Sequence, residues 1–145
     1  KIYAQYTDRT LPRPHSTDDD KEIIGTAFIQ ADLGKPFNFN KVEVTKSIYF
    51  SNDHEKSVSI STKIDAKNDY ETNLDAYILY QILDKNGRVI HIDWSRVFAP
   101  AESVFTVYHN CDVLESGKYV VEIFILNNLE NPVPYSTKFS ETIFI

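Results

Sequence analysis

The chain has 145 residues, of which 42% are hydrophobic and 25% charged, and its formal net charge is −6. This length and composition predict one folded domain and argue against a disordered tail. The acidic balance disfavours nucleic acid or an anionic membrane surface as a partner, and no apolar run approaches the roughly 18 residues that span a bilayer. We therefore expect a folded segment that is not itself inserted into a membrane.

The beginning of the chain suggests a processed product. The sequence contains no Met and opens at Lys1. Because translation starts at Met, we expect a mature chain from which a signal peptide was removed, located outside the cell or at the cell surface. The single cysteine, Cys111, excludes an intrachain disulfide.

Residues 1–40 differ in character from the rest and are interpreted as an N-terminal arm. Apolar residues predict a strand over residues 1–6 and another over residues 23–31, with a charged, proline-containing linker over residues 7–22 between them. The arm residues expected to dock on other surfaces are Ile2, Tyr3, Tyr6, Ile24 and Phe28. The acidic run within the linker lacks the spacing of a calcium-binding loop, so no calcium site is predicted there.

Residues 41–145 predict an antiparallel β-sandwich. Short alternating runs with turn signals between them favour strands at residues 43–50, 57–66, 75–84, 89–92, 103–108, 119–126 and 137–145. Within the second of these, Val58, Ile60, Ile64 and Ala66 are predicted to face inward, and Ser57, Ser59, Ser61, Lys63 and Asp65 to face water. The pair Asn86-Gly87 predicts a tight hairpin in which both residues have positive φ. The expected fold class is all-β, an immunoglobulin-like sandwich of about seven strands with a strand-bearing N-terminal arm.

A turn before the strand at residues 119–126 resembles the tyrosine corner of immunoglobulin-like sandwiches. Its pattern is Leu114-x-x-Gly117-x-Tyr119. In such corners the Tyr hydroxyl bonds to backbone upstream, which places Tyr119 inward. Antibody-type domains have a Cys where this chain has Val121, so the disulfide-bearing subclass is excluded.

Two predicted strands, residues 75–84 and 119–126, are apolar on both faces. With Tyr119 inward, the side chains predicted on their shared outer face are Tyr77, Leu79, Leu83, Val120, Phe124 and Leu126. Six such side chains exceed the apolar patch that a monomer usually exposes. We expect this patch to be covered, either by the arm of the same chain or by another copy.

Signals for chemistry are weak. His91, His109 and Cys111 are candidates for a copper-type metal site, but the His precedes the Cys and no axial Met exists, so no metal or other cofactor is predicted. No nucleophile elbow or phosphate-binding loop occurs, and we expect no enzymatic activity. Aromatic residues that could stack on a carbohydrate are Tyr77, Tyr80, Trp94 and Tyr108.

The segment at residues 117–145, with its Gly-Lys-Tyr-Val-Val-Glu-Ile strand and Leu-Glu-Asn-Pro loop, resembles the closing strands of immunoglobulin-like domains in archaeal secreted and cell-surface proteins. The resemblance implies an extracellular structural or interaction role and carries over no catalytic residue. The expected function is that of a subunit of a cell-surface filament or envelope assembly, which binds copies of itself through strand docking. The alternative is a soluble accessory or metal-handling domain of an envelope-associated complex, and a third reading is a carbohydrate-binding module.

Overall fold

A computed structural model describes residues 20–28, 35–50, 56–113 and 115–145 of the chain. These residues form eight strands and no helix, so no helix among them could cross a membrane. The strands are β1 (Asp20–Phe28), β2 (Phe37–Phe50), β3 (Lys56–Asn68), β4 (Leu74–Leu83), β5 (Val89–Ala99), β6 (Val104–Val113), β7 (Lys118–Leu126) and β8 (Phe139–Phe144).

The strands build two antiparallel sheets that pack face to face. The first sheet has the order β1-β2-β3-β6 and the second the order β5-β4-β7-β8. Strands β1 and β8 contact each other along one side of the sandwich, and β5 and β6 contact each other along the opposite side. The predicted all-β sandwich is confirmed, and the seven predicted strands correspond in order to β2–β8.

The arm strand differs from its prediction in position and in role. It runs over Asp20–Phe28 instead of residues 23–31, and it pairs with β2 as the edge strand of the first sheet. Since β2 itself begins at Phe37, the sandwich starts well before the predicted boundary at residue 41. The strand predicted at residues 1–6 lies outside the described residues.

Alternation along the strands determines which side chains form the core. On β4 the buried residues are Ala76, Ile78, Tyr80 and Ile82, and on β7 they are Tyr119, Val121, Ile123 and Ile125. Burying each of the larger ones stabilises the fold by about 1.5–3 kcal/mol before ordering costs. The inward register predicted from Tyr119 is therefore confirmed.

Strand β3 shows one departure from the predicted pattern. Val58, Ile60, Ile64 and Ala66 are buried as expected. Lys63 and Asp65 lie on the outer face but are only 7% exposed, although they were predicted to face water. They occupy the middle of a strand flanked by β2 and β6, and Thr106 Oγ1 donates to Asp65 Oδ1 (2.6 Å). Burial also lowers the pKa of Lys63.

The β4–β5 hairpin forms where it was predicted, but by a different turn. Gly87 has a φ of 80°, whereas Asn86 is not among the residues with positive φ. Asp84 is the reason, because its carboxylate Oδ1 accepts hydrogen bonds from the N–H groups of Asn86 (2.8 Å) and Arg88 (3.0 Å). This side-chain support favours a longer loop in which the glycine alone takes the left-handed conformation.

The tyrosine corner is confirmed by a hydrogen bond that Tyr119 Oη donates to the backbone oxygen of Glu115 (2.9 Å). We expect Tyr119→Phe to lower the free energy of unfolding by about 0.5–1.5 kcal/mol, because the carbonyl loses its donor while ring packing is retained. Urea denaturation measures the difference. The control is Tyr70→Phe, since Tyr70 is an exposed tyrosine outside the strands. An equal loss in both variants would contradict the role of the corner.

Candidate functional site

The outer face of the second sheet brings together the six apolar side chains predicted to share a surface. Strands β4 and β7 are neighbours, and their register places Tyr77 opposite Leu126, Leu79 opposite Phe124, and Leu83 opposite Val120. All six side chains are partly buried by their neighbours in the sheet. The alternation on each strand was sufficient to predict this arrangement, given that the two strands are adjacent.

A polar row divides this face. Gln81 Nε2 donates to Glu122 Oε1 (2.7 Å), and Lys138 Nζ lies 3.1 Å from Glu122 Oε2. The hydrogen bond from Gln81 and the contact with Lys138 lower the pKa of Glu122. The row separates Leu83 and Val120 from the other four predicted residues, so the patch is two apolar areas rather than one.

The larger area gains aromatic surface from β5. The Trp94 ring lies 5.7 Å from the Tyr77 ring, and Trp94 is opposite Leu79 in the strand register. We call the resulting surface the aromatic zone; it consists of Tyr77, Leu79, Trp94, Phe124 and Leu126. Of the four aromatic residues considered for carbohydrate stacking, the structure brings only Tyr77 and Trp94 together. Tyr80 is in the core, and Tyr108 is exposed on β6 of the other sheet.

Most of the outward-facing apolar residues of β5 were not predicted from the sequence. Ile92, Trp94 and Phe98 are more than half exposed on this edge strand. Only residues 89–92 were predicted as strand, whereas β5 continues to Ala99. Alternation of apolar residues at the even positions 92, 94 and 98 was the available signal, and Arg96 interrupts it.

The two outer faces of the sandwich differ in polarity. On the first sheet, the central strand β3 presents serines, lysines and an aspartate outward. Lys41 and Glu43 on β2 lie 3.7 Å apart and continue this polar surface. Ile23, Val104 and Tyr108 are exposed on the first sheet, but they lie on its edge strands β1 and β6. Among the described residues, the outward-facing apolar side chains that meet across neighbouring strands are therefore those on the outer face of the second sheet.

The predicted docking residues of the arm have different outcomes. Ile2, Tyr3 and Tyr6 lie outside the described residues. Ile24 packs against the core of its own chain, which accounts for it without a partner. Phe28 is the last residue of β1, and its side chain lies outside the described part.

A buried polar cluster lies between the sheets where β5 and β6 approach each other. The His109 ring stacks on the Tyr80 ring at 4.9 Å with an interplanar angle of 5°, and the His91 ring meets Tyr80 edge-on at 6.0 Å. The Tyr80 hydroxyl lies 2.7 Å from Thr62 Oγ1. His109 is only 4% exposed, so this candidate metal ligand belongs to the core.

Two β5 side chains contact His109 from the opposite sheet. Ser95 Oγ lies 3.3 Å from His109 Nε2, and Asp93 Oδ2 lies 3.5 Å from Nδ1. Burial lowers the pKa of His109, and the attraction of Asp93 opposes that shift. The imidazole is therefore neutral at physiological pH. Its Nδ1, like Nε2 of His91, is buried without a hydrogen bond.

The cluster also contains the third candidate metal ligand. Cys111 follows His109 by two residues on β6, is buried, and has its thiol pKa raised by burial. A protonated thiol is a poor nucleophile and a poor ligand. Within the described ranges, no group of three or more His, Cys, Asp or Glu side chains is placed to hold a metal ion. His91, His109 and Cys111 thus share a region of the core without forming such a group.

Comparison with known proteins does not identify a family. No protein-family model and no curated protein matches the sequence. Among solved structures, the chain is similar to the X-ray structure of Northeast Structural Genomics Consortium target SoR45. That similarity has a TM-score of 0.38 and 12% identity, and it covers 88% of this chain and 83% of the other. The resemblance to archaeal cell-surface domains stays a prediction.

Proposed function

We propose that this chain is a non-enzymatic structural or interaction protein of the cell exterior. Its role is that of a subunit in a filament or envelope assembly made of copies of itself. The observation that supports this is the apolar outer face of the second sheet, which contrasts with the polar outer face of the first. A chain with one apolar and one polar face presents a single side to a partner.

The size of the apolar surface on the second sheet favours its burial by a partner. The aromatic zone combines two aliphatic and three aromatic side chains, and Trp94 remains 53% exposed within it. Large exposed patches of this kind, rimmed by polar residues, usually mark interaction sites. The rim here contains the Arg96–Asp75 ion pair on one side and the Gln81–Glu122–Lys138 row on the other. This distribution of an apolar centre and a polar rim is typical of protein–protein interfaces.

The N-terminal segment of a neighbouring copy is the proposed occupant. Nineteen residues precede β1, which begins at Asp20 on the edge of the sandwich beside β8. An extended segment of that length spans at most about 65 Å, enough to reach an adjacent subunit. Its first residues, with Ile2, Tyr3 and Tyr6, supply apolar side chains suited to an apolar sheet surface. The segment is therefore long enough to reach a neighbouring copy, and it carries apolar side chains that suit the aromatic zone.

Truncation tests the proposal, provided that the deletion ends before Asp20, because β1 belongs to the sandwich. We expect deletion of residues 1–19 to convert assemblies of the full chain into smaller species, measured by sedimentation velocity and electron microscopy. Phe124→Ser should have the same effect because it removes an aromatic anchor from the aromatic zone.

The matched control is Tyr49→Ser, a partly buried aromatic residue on the outer face of the first sheet. It should leave assembly unchanged. Thermal unfolding of all variants separates loss of assembly from loss of fold. Assemblies that persist without residues 1–19, or a full chain that is monomeric at every concentration, would refute docking of the segment between copies.

A further inference from the structure

Strand β5 is an open edge of the second sheet. It pairs with β4 along its whole length, and among the described strands none pairs with its other side. Its outer row contains Ile90, Ile92, Trp94 and Phe98, each close to or above half exposed. An edge of eleven residues with such a row is the type of strand to which another strand adds.

The protections that natural edge strands use are sparse on β5. It contains neither Lys nor Pro. Its one inward-facing carboxylate, Asp93, lies against His109, and its Oδ1 accepts a hydrogen bond from the Trp94 N–H (2.8 Å). By contrast β8, the edge strand on the other side of the same sheet, has only six residues. The second sheet is therefore open to extension at its β5 edge.

We propose that β5 is an interface between two copies of this chain, in which the two β5 strands pair antiparallel about a two-fold axis at Ser95. Such a register places Trp94 opposite Arg96 of the second copy, and Ile92 opposite Phe98 of the second copy. From Ile92 to Phe98 the outer row of β5 is self-complementary in this arrangement, since each of its residues meets another residue of the same row.

The cross-strand neighbours explain why the occupant is the same strand. Arg96 opposite Trp94 forms a cation–π pair, twice because of the symmetry. Ile92 opposite Phe98 forms an aliphatic–aromatic pair of the kind that stabilises antiparallel sheets. The Trp94 N–H, which donates to Asp93 in the single chain, then becomes available to the paired backbone. The second sheets of the two copies then join into one continuous sheet of eight strands.

This inference deepens the proposed function by naming a second contact between copies. The two contacts share Trp94 but otherwise use different groups: the N-terminal segment and the aromatic zone in one case, and the backbone edge of β5 with Ile92, Arg96 and Phe98 in the other. They can consequently succeed or fail independently.

A lysine substitution on β5, made in the full-length chain, tests the interface. We expect Ile92→Lys to weaken self-association at least about tenfold in sedimentation velocity over a concentration series, because a charge enters the paired row. The matched control is Val104→Lys on β6, the edge strand of the other sheet. Val104 is 57% exposed and Ile92 is 58% exposed, so the two changes disturb the single chain similarly. Equal weakening by both variants would overturn the proposal.

Disulfide formation tests the register independently of folding stability. Ser95→Cys should form an intermolecular disulfide under mild oxidation, because residues opposite each other across the axis have Cα atoms about 4.5–5.5 Å apart. Ser140→Cys, an exposed serine on β8, should not form one. The native Cys111 is buried and is the same in both variants. Equal crosslinking of the two, or none at position 95, would overturn the register.

The outcomes distinguish this inference from the proposed function. Assemblies that keep their size after deletion of residues 1–19 but are lost in Ile92→Lys support the β5 interface and refute the docking of the segment. Assemblies that the deletion reduces to dimers, which Ile92→Lys then dissociates, support both contacts. The reverse pattern refutes the β5 interface alone. A full chain that stays monomeric refutes both.

Discussion

Replacing Tyr80 with Ala is expected to lower the free energy of unfolding by about 3–5 kcal/mol, the range for removing a large buried aromatic side chain. Tyr80 is fully buried in the middle of β4, between the two sheets. Its removal opens a cavity that the flanking strands cannot fill, since each is held in register by hydrogen bonds on both sides of β4. Chemical denaturation monitored by fluorescence measures the loss.

Polar contacts add to this cost. The Tyr80 hydroxyl bonds with Thr62, and the Tyr80 ring supports the stacked His109 ring. Burial raises the pKa of the hydroxyl well above its usual value, so it stays protonated and available as a donor. Without Tyr80, Thr62 Oγ1 loses this partner in the core, where an unsatisfied polar group costs about 1–3 kcal/mol. Tyr80→Phe should therefore show the hydroxyl contribution separately from the ring.

Tyr77→Ala is the matched control, because it removes the same side chain from the opposite face of the same strand. Tyr77 is partly exposed beside Trp94, so its removal leaves no closed cavity. We expect a clearly smaller loss of stability than for Tyr80→Ala, and weaker assembly. Similar losses in the two variants would contradict the register of β4, since a shift by one residue exchanges the two faces.

The second large effect is a loss of stability on mild acidification caused by His109. The unfolded chain binds a proton at this imidazole near pH 6.5, whereas burial lowers its pKa in the folded chain. The contribution of neutral His109 is therefore complete above pH 6.5 and declines as the pH falls below that value. The slope for one proton is at most about 1.4 kcal/mol per pH unit.

His109→Phe should flatten this dependence, because Phe keeps an aromatic ring on Tyr80 and does not titrate. Urea unfolding between pH 7.5 and pH 5.5 compares the two proteins, a range above the ordinary titration of carboxylates. Asp93→Asn should have the opposite effect. It removes the attraction that opposes the shift, so the pKa of His109 falls further and the loss extends to lower pH. An unchanged slope in His109→Phe would contradict this assignment.

Local patterns in the sequence were sufficient for much of the fold. The inward sets of β4 and β7 follow from a side-chain period of two, and the tyrosine corner was readable from Gly117 and Tyr119 because its geometry is local. The full lengths of β2 and β5 were not predicted. In β2 a register shift after Phe39 interrupts the alternation that starts at Phe37. In β5 Arg96 interrupts the alternation of apolar residues. Pairing with a neighbour on the sheet stabilises such residues as strand, whatever their own preference.

The candidate sites were also predictable from the sequence only in part. The apolar row on β4 and β7 was predicted, but the polar row that divides it depends on Lys138, which reaches Glu122 from outside the strand. The cluster around Tyr80 was not predicted. It combines residues of β3, β4, β5 and β6, whose approach no short-range pattern describes.

By itself, the sequence determined the fold class, the order of seven of the eight described strands and the faces of the two most apolar ones. These properties depend on alternation and turn chemistry within a few residues. Only the tertiary structure decided that β1 closes the first sheet, that β5 is an open edge with Trp94 beside Tyr77, and that His109 is buried against Tyr80. These properties depend on which distant strands become neighbours, and sheet order is set by the packing of the whole core rather than by any one segment.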